Sequence, residues 1–249
     1  MLSLLKRSAK SALLGLLAKR GFSLRETGLP PRGYEAFLAD YARRAGSPAT
    51  VFDIGVGDGT TWLYEAFPKA RFVLVEPQRG FKPSIDAVLE RYDGVCQYCA
   101  LGETEGEITL FVPAGAPTGA SILPRDRKWA KHQNGRLVEE RVPLRTLDAI
   151  AGTPAGPYVI KIDAEGAELK VLRGGSACAR TADMVLVEAS VMRRHEGEAD
   201  FVDIAAHLKG EGFRLADIVE MSTTGPYKSL AYLDAAFVHV DSRYWLADQ

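Results

Sequence analysis

A short apolar strand that runs into three alternating glycines is the feature that most constrains the fold of this chain. Residues 50–54 are β-compatible apart from Asp53. Glycines at every second position then precede a helix start: Gly55, Gly57 and Gly59. Glycine tolerates positive φ and lets a ligand approach the bare backbone, and the helix N-terminus beyond it offers free N–H groups. This arrangement predicts a nucleotide-like ligand at the carboxyl edge of a parallel sheet.

The glycine spacing and the acid before it distinguish two classes of ligand. A dinucleotide-binding turn reads G-x-G-x-x-G, whereas the third glycine here comes one position early. An acid at the strand end repels phosphate and attracts a cationic amino group. S-adenosylmethionine (SAM) carries an ammonium and a sulfonium and no phosphate, so the pattern favours SAM; a glycine-rich turn without a ligand is the alternative. The predicted cofactor contacts in this segment are Asp53, Gly55, Gly57, Asp58, Gly59 and Thr60.

Two further strand ends are predicted to complete the cofactor site. Glu76 and Pro77 end an apolar run, nineteen residues after Gly57. A carboxylate there can accept hydrogen bonds from both ribose hydroxyls, and a solvated loop glutamate is the alternative interpretation. Ala100 and Leu101 end the next apolar run, where backbone and side chains are expected to flank an adenine ring.

Apolar runs and helical segments alternate along the chain, which predicts an α/β fold with a seven-stranded, mostly parallel sheet and helices on both faces. The last two strands have no helix between them and are expected to pair antiparallel. Residues 1–46 are predicted to form a helical extension and residues 47–249 the main domain. An insertion over about residues 106–145 breaks the alternation and is expected to be a lid or substrate loop. The predicted sheet strands are 50–54, 71–77, 95–101, 158–163, 184–188, 213–219 and 235–240.

A second group of acidic residues ends the fourth predicted strand. Asp163 and Glu165 are expected at the same edge as the glycine turn, where they could accept a hydroxyl proton, orient an acceptor or ligate a divalent cation such as Mg²⁺. Structural capping of the local turn is the alternative. Glu168 is interpreted as a helix-start residue, because a carboxylate there favours the helix dipole. His195 follows the next strand and is a candidate base, with a solvated loop as the alternative.

Sequence blocks around these residues resemble the FkbM family of SAM-dependent methyltransferases. The blocks are V-P-L-R-T-L-D-A-I at 142–150, Y-V-I-K-I-D-A-E-G-A-E at 158–168 and V-L-V-E at 185–188. The resemblance implies a Rossmann-like class I methyltransferase fold and O-methylation of a hydroxyl on a sugar, glycoconjugate, polyketide or other secondary metabolite. It also implies that Ser121, in a G-A-S-I segment, faces SAM. Where the family often has G-A-N-x-G, this chain has G-V-G-D-G, so Asp58 is expected to make different contacts from the usual asparagine.

Composition and motifs argue against several other classes of protein. A formal net charge of −1 gives no basic surplus, which argues against nucleic acid as a partner. Three cysteines argue against a disulfide framework and fit a reducing compartment. An NAD-linked oxidoreductase on a similar sheet would need a later third glycine and a Tyr-x-x-x-Lys pair, and we find neither. A non-catalytic scaffold at a membrane surface is the other alternative.

The first twenty residues combine leucines at near-helical spacing with five basic side chains. A signal peptide fits poorly, because the apolar stretch 12–18 is short and no small-residue cleavage site follows it. One interpretation is an amphipathic helix docked on the domain or at a homodimer contact; the other is a basic helix on an anionic membrane surface. The predicted location is cytoplasmic, with the second interpretation adding peripheral contact at the inner face of the membrane.

Overall fold

The structure, a computed structural model of the chain, describes residues 32–126, 136–153, 156–224 and 229–248. The strands in these ranges are β1 Thr50–Ile54, β2 Arg71–Val75, β3 Gly94–Gln97, β4 Ala100–Leu101, β5 Gly106–Pro113, β6 Leu137–Arg145, β7 Tyr158–Ile162, β8 Met184–Ser190, β9 Phe213–Thr224 and β10 Ser229–His239. Seven of them form the main sheet, in the order β3-β2-β1-β7-β8-β10-β9. Only β10 runs against its neighbours in that sheet. The predicted mostly parallel, seven-stranded sheet and the antiparallel last pair are confirmed.

Helices cover both faces of the main sheet, as predicted. They are α1 Tyr34–Ala45, α2 Thr61–Ala66, α3 Lys82–Leu89, α4 Leu147–Ala151, α5 Glu168–Gly174, α6 Ser176–Thr181 and α7 Phe201–Gly210. α1, α2 and α3 pack on one face, where Phe37 and Leu63 are fully buried. α4 to α7 pack on the other face, where Val171 and Ile204 are fully buried. The central strands β1 and β7 are buried at every position, which explains their continuous apolar runs.

The third predicted strand, 95–101, is wrong in its extent. β3 ends at Gln97, and the chain turns there through a hydrogen bond from the Cys99 N–H to the Gln97 carbonyl at 3.1 Å. Ala100 and Leu101 then pair with β6, outside the main sheet. An apolar run predicts extended backbone but carries no signal for the sheet that the strand joins, so one strand was expected where the chain makes two.

The insertion contains a sheet of its own, the small sheet, with the strand order β4-β6-β5. It packs through a separate apolar cluster that includes Leu110, Ile122 and Leu144. β6 starts at Leu137, and its first five residues are exposed. The small sheet places the segment around Ser121 beside the carboxyl edge of the main sheet.

α1 belongs to the core of the main domain. Its Phe37, Leu38 and Tyr41 are at most 1% exposed, and the Tyr41 hydroxyl donates a hydrogen bond to Asp183 at 2.5 Å. The division of the chain at residue 46 stays a prediction. The predicted basic helix of residues 1–20 lies outside the described residues. Within the described ranges, no helix combines the length and apolarity needed to cross a membrane.

Candidate active site

A cavity of about 300 Å³ opens at the carboxyl edge of the main sheet. It extends from the residues that follow β2, past the glycine turn and the end of β7, to β8 and β10. Those strands are consecutive neighbours in the sheet, and this edge is where open α/β sheets bind ligands. The predicted cofactor residues that line the cavity are Gly55, Gly57, Asp58, Gly59, Thr60, Glu76, Pro77, Ala100, Leu101 and Asp163.

The glycine turn needs glycine for two separate reasons. Gly55, Gly57 and Gly59 have φ angles of 78°, 51° and 106°, a region that residues with a side chain rarely adopt. In addition, a Cβ on Gly55 would lie 1.8 Å from the carbonyl oxygen of Asp163. The turn therefore packs directly against the end of β7, which places the cofactor edge and the Asp163 edge side by side.

Glu76 lies at the cavity wall and is 4% exposed. Its two carboxylate oxygens accept hydrogen bonds from the backbone N–H groups of Gly57, at 3.0 Å, and Gln78, at 2.8 Å. Burial raises the pKa of the Glu76 carboxyl, although these hydrogen bonds and Lys161 oppose the shift. Each carboxylate oxygen can accept more than one hydrogen bond, so Glu76 can hold the glycine turn and still receive a pair of hydroxyl groups.

Asp53 does not line the cavity, contrary to the expectation that it contacts a cationic ligand directly. Its side chain is wholly buried, and its carboxylate accepts a hydrogen bond from the Tyr64 hydroxyl at 2.5 Å. The other carboxylate oxygen lies 3.3 Å from Lys161 Nζ. Asp53 and Lys161 are directly paired neighbours on β1 and β7, so their side chains share one face of the sheet. Asp53 thus acts on the site through Lys161.

Lys161 is a site residue to which the sequence assigned no role. Its Nζ donates a hydrogen bond to the Gly55 carbonyl at 2.7 Å and lies 3.6 Å from an Asp163 oxygen. Burial would lower the pKa of this amine, but the carboxylates of Asp53 and Asp163 outweigh it and raise the pKa. A lysine in the middle of the apolar run 158–162 is the sequence signal that could have indicated this role.

Three carboxylates and one arginine lie at the end of β7 and β8. Oxygens of Asp163, Glu165 and Glu188 lie within 4.8 Å of one another. The guanidinium group of Arg194 lies 3.4 Å from Glu165 and 3.1 Å from Glu188. Arg194 is therefore an ion-pair partner in the site, although a solvated loop was the alternative interpretation of the segment around His195. Burial and the neighbouring Asp163 raise the pKa of Glu165 to about 7, against the opposing effect of Arg194.

Ser121 holds the backbone of this acidic turn and does not line the cavity. It is 2% exposed. Its hydroxyl donates a hydrogen bond to the Glu165 carbonyl at 2.7 Å and accepts one from the Leu123 N–H at 3.0 Å. Glu165 has a φ of 49°, a conformation that side-chain-bearing residues adopt only when their surroundings impose it. Ser121 therefore positions Glu165, in place of the expected contact with SAM.

His195 also lies away from the cavity, which corrects its assignment as a base for the acceptor. The residue is 3% exposed, and its ring packs behind Gly166, where a Cβ would come 2.9 Å from Nδ1. Its backbone N–H donates to Glu198 at 2.8 Å, and its Nδ1 lies 3.6 Å from the same carboxylate. His195 thus supports the turn that carries Glu165 from the side facing away from the ligand.

Glu168 starts α5 and caps the same turn, as its interpretation as a helix-start residue predicts. The side chain is buried, and one oxygen accepts hydrogen bonds from the N–H groups of Ala164, at 3.0 Å, and Gly166, at 2.9 Å. Burial raises the pKa of Glu168 to about 8, although these hydrogen bonds oppose the shift. The turn 163–166 is therefore held by hydrogen bonds with Glu168 and Ser121 and by packing against His195 and Glu198.

Two basic side chains lie beside the acidic triad, which is formed by Asp163, Glu165 and Glu188. Arg194 already forms ion pairs with Glu165 and Glu188, and Lys161 is near Asp163. They offset part of the charge of the triad, and Lys161 is shared with Asp53. The three carboxylates are close enough together to ligate a divalent cation, so the Mg²⁺ site stays a prediction.

The cavity fits a cationic ligand without phosphate. Among the described lining residues, one basic side chain, Lys161, faces six carboxylates: Asp58, Glu76, Asp163, Glu165, Glu188 and Asp234. A pyrophosphate group would be repelled by this wall, whereas the ammonium and sulfonium of SAM would be attracted to it. The same charge distribution disfavours the NAD-linked alternative.

Comparison with known proteins gives a family and a set of similar structures. A family model described as a methyltransferase FkbM domain matches residues 53–215. No curated protein sequence matches the chain. A precorrin-6y C5,15-methyltransferase from Geobacter metallireducens is similar, at 12% identity and a TM-score of 0.41, over 82% of this chain and 87% of that chain. So is a magnesium protoporphyrin IX methyltransferase from Synechocystis with bound SAM, at 13% identity and a TM-score of 0.44, over 82% and 76% of the two chains.

Proposed function

Because this chain belongs to the FkbM methyltransferase family and is a SAM-dependent methyltransferase, we propose that it methylates a hydroxyl oxygen of a sugar, glycoconjugate or secondary metabolite. The observation that carries this proposal is Glu165, a carboxylate at the cavity wall whose pKa is raised to about 7. A hydroxyl acceptor has to lose its proton as the new bond forms, and a base works best when its pKa is near the working pH. Glu165 is such a base.

The cofactor occupies the part of the cavity between β2 and β7 in this proposal. Glu76 accepts the ribose hydroxyls, Pro77, Ala100 and Leu101 flank the adenine, and the glycine turn receives the methionine part. Asp163 lies between this part of the cavity and Glu165 along the same turn. Bound SAM supplies a methyl group that its sulfonium already activates, so the protein mainly aligns the acceptor and removes its proton.

Glu165 takes the proton of the hydroxyl that is methylated, and Arg194 and Ser121 position Glu165. The bond between the acceptor oxygen and the methyl carbon forms as the bond between that carbon and sulfur breaks, and the hydroxyl proton passes to the Glu165 carboxylate. Arg194 favours the charged form of this carboxylate, and Ser121 fixes its backbone. The proposed catalytic residues are therefore Glu165 and Asp163, without His195.

We expect the protein to transfer the methyl group of SAM to a hydroxyl in the presence of EDTA. The reason is that Arg194 already forms ion pairs with Glu165 and Glu188, two members of the acidic triad. The test incubates the protein with SAM carrying an isotope-labelled methyl group and a panel of hydroxylated glycosides and polyketides, and detects the label on oxygen by NMR. Labelling of nitrogen or carbon alone would contradict O-methylation. Loss of activity in EDTA that Mg²⁺ restores would contradict the metal-free site.

Glu165→Gln is expected to lower kcat by about 100- to 10,000-fold, because it removes the proton acceptor. SAM affinity should change little. Since the pKa of Glu165 is about 7, its basic form appears as pH rises through this value, and the wild-type rate should rise with it. The variant should lose that rise in the pH–rate profile. The charged and titratable groups around the Glu165 carboxyl are Asp163, Glu188, Glu198, Arg194 and Arg125.

The matched control is Glu196→Gln, the same substitution at an exposed residue of the loop after β8. It should leave kcat and the pH profile unchanged. A Glu165→Gln variant that retains both the wild-type rate and its pH dependence would remove Glu165 from the mechanism.

A further inference from the structure

An aromatic pair forms part of the cavity wall at the end away from Glu76. The rings of Tyr34 and Trp62 stack, with their centroids 4.0 Å apart and their planes at 17°, and both residues line the cavity. Tyr34 begins α1 and lies outside the matched family segment 53–215. Aromatic rings at a cavity wall bind other rings by stacking and attract cations through the ring face.

Beside this pair, carboxylates lie in register across three neighbouring strands of the main sheet. Asp234 of β10 is directly opposite Glu188 of β8 on one side and Glu220 of β9 on the other. Like charges in directly opposite positions destabilise a sheet. Glu188 and Asp234 line the cavity, so both carboxyl groups are within reach of a ligand there.

Asp234 differs from Glu188, which pairs with Arg194, because no lysine or arginine of the described residues forms an ion pair with Asp234. The hydroxyl of Tyr34 is a polar neighbour of its carboxyl and favours the charged form. Burial raises the pKa of Asp234 to about 7; the Tyr34 hydroxyl and Lys161 oppose the shift, and Asp163 and Glu220 add to it. A positively charged group on a ligand would relieve this crowding.

The strand order separates Asp234 from the cofactor end. Glu76 follows β2 and Asp234 lies in β10, and four strand spacings separate β2 from β10 in the sheet. At about 4.8 Å per spacing this is about 19 Å across the sheet. The end formed by Tyr34, Trp62 and Asp234, the aromatic end, is therefore free to take a second molecule while the cofactor lies against Glu76.

We propose that the aromatic end binds an acceptor whose hydroxylated ring carries a protonated amino group. The ring packs against Tyr34 and Trp62, the ammonium pairs with Asp234, and a hydroxyl reaches Glu165. This inference rests on the proposed O-methyltransferase function and deepens it. Acceptors that carry a phosphate or carboxylate at the same position are excluded, because the row of carboxylates repels them.

The experiment compares three glycosides that differ only in the group at C6: methyl 6-amino-6-deoxyglucoside, methyl glucoside and methyl glucuronide. Each is titrated into the wild-type protein saturated with S-adenosylhomocysteine (SAH), at a pH where the amine is charged, and binding is followed by NMR. The expected order is amine, then neutral sugar, then acid, with the amine at least about tenfold tighter than the neutral sugar, as for one charge-assisted hydrogen bond.

Asp234→Asn should abolish the preference for the amine over the neutral sugar and leave the dissociation constant of SAH unchanged. Asp241→Asn is the matched control, because Asp241 is exposed in the turn after β10 and 88% of its side chain is accessible. It should keep the preference.

Equal binding of the three glycosides, tighter binding of the acid, or failure of the amine to bind in the millimolar range would overturn the inference while leaving methyl transfer intact. So would an Asp234→Asn variant that keeps the preference. Failure of the wild-type protein to bind SAH is a separate outcome, which contradicts the proposed function and the inference together.

Discussion

Replacing Glu76 by alanine is expected to weaken SAM binding by about 100- to 20,000-fold, since a hydrogen bond to a charged group contributes about 1.5–3 kcal/mol and two ribose hydroxyls are involved. The same carboxylate holds Gly57 through its N–H, so the variant also loses a contact that shapes the glycine turn. Isothermal titration with SAM and with SAH measures the effect. Circular dichroism establishes that the variant is folded.

Glu76→Gln separates the hydrogen bonds to the ribose from the contact that shapes the glycine turn. Its amide group would bring an N–H donor toward the backbone N–H of either Gly57 or Gln78, and it can offer only one oxygen to the ribose. We expect an affinity between those of the wild-type and alanine proteins. Glu65→Ala, at an exposed position of α2, is the control and should bind SAM normally. SAM affinity that is the same in wild type and in Glu76→Ala would overturn the cofactor assignment.

The cofactor half of the site could be predicted because it depends on local sequence. The glycine turn, Glu76 and Asp163 each follow directly after an apolar strand, and the ends of parallel strands meet at one edge whatever the rest of the fold is. Positive φ at Gly55 and contact with bare backbone are also local requirements. These features need only the ends of β1, β2 and β7, which the apolar runs give to within two residues.

Side-chain direction could not be predicted in the same way. Asp53 is within β1, where its neighbour on β7 decides whether it faces a ligand or a lysine. Ser121 and His195 contact the turn 163–166 and do not line the cavity. Arg194 lies in a segment whose polar sequence is typical of a solvated loop. Each of these roles depends on contacts between residues far apart in sequence.

The aromatic end depends on contacts of longer range still. Tyr34 comes from the first described helix, and Asp234 from the last strand. Their contact requires the strand order of the main sheet, the reversed direction of β10 and its register with β8. No local pattern contains that information, because Asp234 in sequence is one acid in an otherwise apolar strand.

Replacing Lys161 by methionine is expected to lower the free energy of unfolding by about 3–5 kcal/mol, because removing one partner of a buried ion pair leaves the other charge buried without compensation. That partner is Asp53, whose side chain is wholly buried and lies 3.3 Å from Lys161 Nζ. The Gly55 carbonyl also loses a hydrogen bond at 2.7 Å. Urea denaturation measures the change, and Lys209→Met at an exposed position of α7 is the control.

A second substitution distinguishes the buried charge from simple loss of packing. Asp53→Asn removes the charge that Lys161→Met leaves unpaired, and it keeps an acceptor for the Tyr64 hydroxyl. The double variant Asp53→Asn/Lys161→Met should therefore be more stable than Lys161→Met alone, which is a coupling that only interacting residues show. If the two substitutions destabilise the protein additively, Asp53 and Lys161 do not compensate each other. Asp53 would then have to stabilise the site by some contact other than the ion pair across β1 and β7.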